Sequence, residues 1–487
     1  MENISEANMD FKTLEQTIFN VMCQAACQLM SQYLQASDRR IMAERDTREY
    51  RCIGTRQTTV KTMMGEVSYE RYYYKQKDRG YVFLLDEVMG IGKGYGLVSE
   101  NLAEQIVNEC TDKSFRKAAA SISSLTGQTI SAMGAWDLLQ RFGEKIDKQE
   151  QQLKRFDERG ITGKLGNIYS PVLFKELDDI WLPMQKEQRC RRNASADNGS
   201  KKAKKKPLHI GTAYTGWVRE RDGSYRTTYK IAYASFGGTS EFFSNYETLL
   251  YHRFDIDGLE RQVINADGAS WIKVMAEQND AILQLDPFHR SRAITRAVSD
   301  KNARQAVFDA LEEKDVGKTL NVIRNLIAKA NNELIVKKLK GLYKYFYNNR
   351  HSLLTWQERG IELPTPPEGT FYRNLGVQEH SNCDLVTQRM KHRKGSWSIY
   401  GGTHMAKILC LKNTIGIDDI FGILPEPPGT EASAEPLSSA KTPLYDGKGY
   451  DSQLHAEMPF EQTFMTNGRR AIRNILKQRS PLNISFI

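Results

Sequence analysis

The apolar positions along the chain change period several times, and each change marks an element. Between residues 11 and 48 they recur every three or four residues (Phe19, Met22, Cys23, Ala26, Leu29, Met30, Tyr33, Leu34), which predicts a helix. The period then falls to two. Val60 and Thr62, and after Gly65 Val67, Tyr69, Arg71 and Tyr73, alternate with their neighbours, predicting a β-hairpin that turns at Met64-Gly65-Glu66. Residues 96–145 return to the helical period. They predict a helix, a turn at Gly127 and a second helix starting near Ser131, whose hydroxyl is placed to cap it. Ala118, Ala119, Ile122, Ile130, Trp136 and Leu139 form the expected shared core of this helix-turn-helix-like pair.

From residue 171 strands dominate. PVLFKELDDIWLPMQ, LHIGTAYTGWVRE and TYKIAYASF read as strands, and TSEFFSNYETLLYHRF reads as a helix. VINADGASWIKVMAEQNDAILQLDPFHRSRAI reads as strand, helix, strand and the start of another helix. Helical segments then run without proline from Pro287 to Pro364, and GVQEHSNCDLVTQRMKHR opens a last helix. Three strands, a helix, a strand, a helix, a strand and a final helix is the order of a ribonuclease-H-like core. The expected fold class is therefore α/β, with that core carrying an all-helical insertion and following an N-terminal helical and β-hairpin DNA-binding region. The expected divisions are a helical segment at 1–48, the hairpin region at 49–90 and the helix-turn-helix-like region at 91–160. The catalytic region follows at 171–424, with its insertion at about 290–370, then a Pro/Ser/Gly-rich flexible linker at 425–450 and a basic tail at 451–487.

Composition narrows the class. At 487 residues the chain is long enough for two to four domains. It is 40% hydrophobic and 26% charged, as globular chains are. A net charge of +10 suits a polyanionic partner, nucleic acid first, and equally a solvated basic surface. The seven cysteines (23, 27, 52, 110, 190, 383, 410) include no CxxC pair or finger spacing, which points to a reduced, cytoplasmic chain. The polar N-terminus is not a signal peptide, and no apolar run approaches the ~20 residues of a membrane span.

The chemistry lies in carboxylates. A ribonuclease-H-like arrangement brings together the middle of its first strand, the tip of its fourth and the start of its last helix. Those places hold Asp178, Asp267 and Glu379. Carboxylates crowded together repel and their pKa values rise. Mg²⁺ or Mn²⁺ relieves this through hard oxygen ligands, and two such ions assist phosphodiester cleavage. Glu176 shares a strand face with Asp178, whereas Asp179 faces the other way and competes with Asp178 for the ligand role. Asp286 and His289 are expected to brace the site or contact phosphate. No Cys or His stands at zinc-ligand spacing from them. In the N-terminal region Arg71, Tyr73, Lys75, Arg116, Lys117 and Ser131 are the candidate DNA contacts, where basic and aromatic residues interleave.

The blocks ELDDIWLPMQ, NADGASWIK, LDPFHRSRAI, GVQEHSNCDLVTQRMK and GSWSIYGGTHMAK resemble, in order, those of bacterial insertion-sequence transposases of the ISLre type, relatives of the Mutator-like DDE transposases. VKTMMGEVSYERYYYKQKDRGYVFLLDE extends the resemblance, which covers about residues 45–415. It implies a DDE triad of Asp178, Asp267 and Glu379, with Asp286 and His289 in the family's Asp-x-x-His block. Asp179 stands where the family usually has Gly, and Arg350 where it has Trp. The implied function is a DNA transposase that uses two Mg²⁺ or Mn²⁺ ions. It would bind terminal inverted repeats, cleave and join double-stranded DNA as a homodimer or higher oligomer, and work at the bacterial nucleoid. The alternatives are an inactive, transposase-derived DNA-binding protein and a nuclease of the same fold without strand transfer.

Overall fold

The computed structural model describes residues 10–77, 80–92, 95–158, 166–185, 205–376, 383–393 and 395–415. These fall into two compact units, one within Met1–Phe142 and one within Gly143–Ser433. The expected linker at 425–450 and tail at 451–487 lie outside the described residues.

The first unit opens with helix α1 (Phe11–Glu44), whose N-terminus is capped by Asp10. Strands β1 (Tyr50–Thr62) and β2 (Gly65–Gln76) form the expected hairpin, and β3 (Gly80–Val82) adds to β2. Thr62 pairs with Gly65, so the turn is Met63-Met64, one residue earlier than the spacing predicts. Leu34 of α1 packs on Val60, Val67 and Tyr69 of the hairpin and on Leu85 of α2 (Leu84–Met89). Helices α3 (Glu100–Asp112) and α4 (Phe115–Thr126) follow, and α5 (Ala132–Glu158) begins in this unit and runs past its boundary at Phe142. Gly127 ends α4 in the left-handed conformation (φ +68°) that glycine adopts without penalty. The Ser131 hydroxyl accepts the Gly134 N–H at 2.9 Å, as a cap should.

The second unit is a mixed α/β layer structure. Strands β4 (Val172–Pro183), β5 (Lys205–Tyr214), β8 (Ile231–Ser235), β9 (Arg261–Ala266) and β10 (Ile282–Leu285) form one sheet in the order β10-β9-β4-β5-β8. β5 runs antiparallel to both its neighbours, while β4, β9 and β10 are mutually parallel. A small ribbon of β6 (Trp217–Arg219) and β7 (Tyr225–Thr227) interrupts the strand expected from LHIGTAYTGWVRE. The break falls at Gly216 (φ +147°), where an added Cβ would lie 2.6 Å from Thr370. Helices α6 (Thr239–Arg253) and α7 (Ser270–Gln278) cover one face through Phe242, Tyr246, Ile272 and Met275.

Helices α8 (Pro287–Ala297), α9 (Lys301–Glu312), α10 (Val316–Lys329) and α11 (Glu333–Asn348) build a separate core around Ile294, Val307, Ile323 and Phe346. The insertion is not all-helical, which corrects the expectation. Its helices end at Asn348, and residues 349–376 run without one. Pro364, Pro366 and Pro367 lack the N–H groups a helix needs. This segment covers the β10 edge instead: Leu285 N–H donates to Ser352 O at 2.6 Å and Arg359 to Leu283 O at 2.8 Å. A π-helical segment (Cys383–Lys391) and helix α12 (Ile399–Ile415) follow. Thr414 of α12 accepts the Ala232 N–H on the opposite edge strand, β8.

Candidate active site

Leu177, Ala266 and Leu285 stand in register across the parallel strands β4, β9 and β10. The next residue in each is an aspartate: Asp178, Asp267 and Asp286. Leu177 and Ala266 belong to the core beneath α6 and α7. Alternation along β4 therefore turns Asp178 to the other face. Asp267 and Asp286 thus lie at the carboxyl ends of their strands, where open α/β sheets commonly present their chemistry, and Asp178 lies level with them within the longer β4.

Asp178 feels the charge of Asp267. Burial pushes the Asp178 carboxyl up to about 6, with the Asp267 charge adding to the rise and His289 opposing it. Asp267 is also raised, chiefly by burial and against the bond from the Ala269 N–H at 2.9 Å. Gly268 follows at φ +90°, with Asn349 so close that a Cβ would meet its Oδ1 at 2.8 Å. Tyr345 Oη donates to the Asp267 carbonyl at 2.7 Å. The insertion therefore holds the Asp267 turn from two sides.

Asp286 plays a different part. Its Oδ1 accepts the Phe288 N–H at 2.8 Å and its Oδ2 accepts from Asn265 at 3.1 Å, so it caps α8. That cap sets the first turn of α8, from which His289 Nε2 stands 3.9 Å from Asp178 Oδ2. Arg290 anchors the same turn. It donates to both Glu358 oxygens (2.9 and 3.0 Å) and to Leu353 O.

Beneath the acids lies a buried polar row, Glu176, Asn265 and Gln284, in register across the three strands. Asn265 donates to Glu176 at 3.2 Å, Gln284 donates to Asn265 at 3.0 Å, and Gln284 accepts the Trp356 N–H at 3.1 Å. Tyr214 Oη and, at 3.4 Å, the Gly376 N–H also donate to Glu176. Glu176 is therefore engaged on all sides. Asp179 is separated from Asp178 by strand alternation: it meets His209 Nδ1 at 2.6 Å, and the His209 ring packs against Phe242 and Trp271.

Glu379 lies outside the described residues. Among the described residues no group of three or more His, Cys, Asp or Glu stands close enough to hold a metal ion. The donor chemistry still fits a divalent cation. Burial raises the proton affinity of both hard-oxygen carboxylates and the Asp267 charge adds to the rise at Asp178, the condition a cation relieves.

In the first unit, Lys75, Arg116 and Lys117 are exposed, and the Arg56 guanidinium stacks over the partly buried Tyr73 ring at 4.7 Å. The Ser131 oxygen is engaged in the α5 cap. Arg71 is a correction. It shares strand parity with the buried Val67 and Tyr69, so it points inward. There it is 8% exposed, ion-paired with Asp86 and stacked 3.9 Å from the Phe83 ring, out of reach of a DNA phosphate.

Sequence reading missed Asn265, Gln284, Tyr345, Asn349 and the Arg290–Glu358 pair. Asn265 and Gln284 had a signal: each is polar, inside a short apolar strand, and directly precedes the residue before an aspartate. Tyr345 and Asn349 had none, because only tertiary packing brings them to Asp267.

A UPF0236 protein of Caldanaerobacter subterraneus subsp. tengcongensis is 24% identical over 359 residues, 71% of this chain and 66% of the relative. The chain thus spans just under two thirds of that relative's length. The relative's name joins four locus designations. A UPF0236 protein in the vanSb 3′ region of Streptococcus gallolyticus is 20% identical over 432 residues, 86% of each chain. Among solved structures, the crystal structure of the Mos1 strand transfer complex matches at 7% identity over 53% of this chain and 79% of that one. Its TM-score is 0.12, too low for the likeness to bear on function. Residues 4–419 match the uncharacterised protein family UPF0236, and the chain belongs to that family.

Proposed function

We propose that this protein is a DNA transposase of an insertion sequence, with a ribonuclease-H-like core and a DDE carboxylate triad. The observation that carries the reading is the placement of Asp178 and Asp267, one residue beyond the paired Leu177 and Ala266 on adjacent parallel strands, with both pKa values raised. The sheet order β10-β9-β4-β5-β8, with only β5 reversed, supports a ribonuclease-H-like core. Several locus designations joined in one relative's name are what a sequence copied around a genome would leave.

Asp178 and Asp267 would hold Mg²⁺ or Mn²⁺, with Glu379 as third ligand. The bound ions would polarise the attacking oxygen and neutralise the leaving one. His289 fixes the electrostatic surroundings of Asp178. Tyr345 and Asn349 hold the Asp267 turn in place. A water oxygen attacks the phosphorus at the element's end, the bond to the 3′ oxygen breaks, and a 3′-hydroxyl is freed. That hydroxyl then attacks a phosphodiester of target DNA and displaces its 3′ oxygen, joining element to target. Exposed Lys75, Arg116 and Lys117 would bind phosphate at the terminal repeats, so affinity should fall steeply with salt.

The test is to incubate the protein with labelled DNA carrying the element's ends, in Mg²⁺ and in EDTA, beside Asp267→Ala. Metal-dependent nicking at the repeat boundary that the variant lacks is the expected result. Cleavage retained by the variant, or none in any divalent metal, would overturn the reading.

A further inference from the structure

Helix α1 is apolar on two opposite sides. One side, with Cys27, Leu34 and Ile41, faces its own unit. The other is bare: Phe11 is 78% exposed, Ile18 54%, Met22 58% and Leu29 61%. Between Lys12 and Asp38 the only charged residue is Glu15. Soluble helices carry charge on the face they show to water, and a helix apolar all round is normally covered. The six large apolar side chains of this stripe, Phe11, Leu14, Ile18, Met22, Leu29 and Tyr33, present on the order of 600 Å², near one partner's share of a standard interface.

The spacing of the bare stripe fits a second copy of the same helix. From Phe11 to Ala36 its positions step by 3, 4, 4, 3, 4, 4 and 3 residues, a helical period that reads the same in both directions. A second α1 laid antiparallel therefore meets it position for position. Phe11 falls opposite Ala36, Leu14 opposite Tyr33, Ile18 opposite Leu29 and Met22 opposite Ala25. Two of the four pairings set a large side chain against a small one, as interdigitating helices require. A contact in which residue i meets j and j meets i closes as a two-fold dimer.

We propose that α1 is a homodimerisation helix whose exposed stripe packs antiparallel against α1 of a second copy of this chain. The inference does not rest on the DNA-processing reading, and its test uses no DNA. Full-length protein at about 10 µM is examined by light scattering and sedimentation, with circular dichroism to confirm folding. The wild type should be a dimer. Ile18→Glu with Leu29→Glu places like charges together in either orientation, and should raise the dissociation constant by more than about tenfold with helicity unchanged. Ile18→Glu with Leu29→Lys sets opposite charges together only in the antiparallel pair. It should dimerise better than the double-Glu variant at low salt and lose that advantage at high salt. A monomeric wild type would overturn the proposal, including one whose α1 amides are protected from exchange by another part of the same chain. So would a double-Glu variant as dimeric as the wild type. Equal dissociation of the two variants at low salt would overturn the antiparallel arrangement.

Discussion

His289 Nε2 stands 3.9 Å from Asp178 Oδ2, although the two residues belong to different strand-and-helix units of the sheet. The approach depends on Asp286, which caps α8 and so fixes the turn carrying His289. Of the three aspartates that follow the paired Leu177, Ala266 and Leu285, one thus positions His289, while the other two have raised pKa values. The division of labour follows from hydrogen bonding: Asp286 has both oxygens engaged by Phe288 and Asn265.

Asp178→Asn should stabilise the metal-free protein at pH 7 while abolishing cleavage. The folded state keeps the Asp178 proton up to about pH 6, whereas an unfolded aspartate releases it near 3.9. The folded state thus binds more protons in that window, and stability falls as pH rises through it. The variant should lose that slope and gain up to about 3 kcal/mol at pH 7 in chelator. Urea unfolding at pH 4 and pH 7 checks this, and an unchanged slope would count against it.

Glu358→Gln should cost about 2–4 kcal/mol at pH 7, because it leaves Arg290 half-paired in a mostly buried place. Burial pushes the Glu358 carboxyl up, but the Arg290 bonds and the Thr355 N–H outweigh it and hold it below the usual range. The pair's contribution is present above the unfolded value and is lost as pH falls through the folded one. The difference between variant and wild type should therefore shrink toward pH 3. Thermal melts across that range would show it, and a pH-independent difference would refute it.

Gly268→Ala should impair cleavage more than it impairs folding. At φ +90° an alanine is strained by roughly 1–3 kcal/mol, and its Cβ would press on Asn349 beside Asp267. The readout is the ratio of cleavage rate to unfolding midpoint, compared with Asn349→Ala. If both variants cut at the wild-type rate, the Asp267 turn tolerates displacement.

Arg71→Ala should unfold the first unit by about 3–5 kcal/mol, since it strands Asp86 without its buried partner. Arg116→Ala and Lys117→Ala should leave stability within about 0.5 kcal/mol. Each should instead lower the salt dependence of DNA binding by about one phosphate contact. A stable Arg71 variant with weakened DNA binding would restore Arg71 as a contact.

Strand and helix order in the second unit was legible because period-two and period-3.6 runs are separated there by Gly, Pro and Asp. The aspartates at the strand tips were legible for the same reason: a charge that closes an apolar run has to be explained. Arg71 was misread because its charge was weighed above its parity with Val67 and Tyr69. The pairing of Asp179 with His209 was illegible, because no local pattern announces a partner from the antiparallel neighbour. Tyr345 and Asn349 were illegible because their role exists only once the insertion folds back.

The row of Glu176, Asn265 and Gln284 has a consequence for assembly. β4 and β9 lie far apart along the chain, and no tight turn aligns them. A slip of one residue would swing Asn265 into the apolar layer and offer Ala266 to Glu176, leaving buried polar groups unmatched. The same slip would send Asp178 and Asp267 to opposite sides of the sheet. The row therefore favours the one strand alignment that keeps Asp178 and Asp267 on the same side of the sheet.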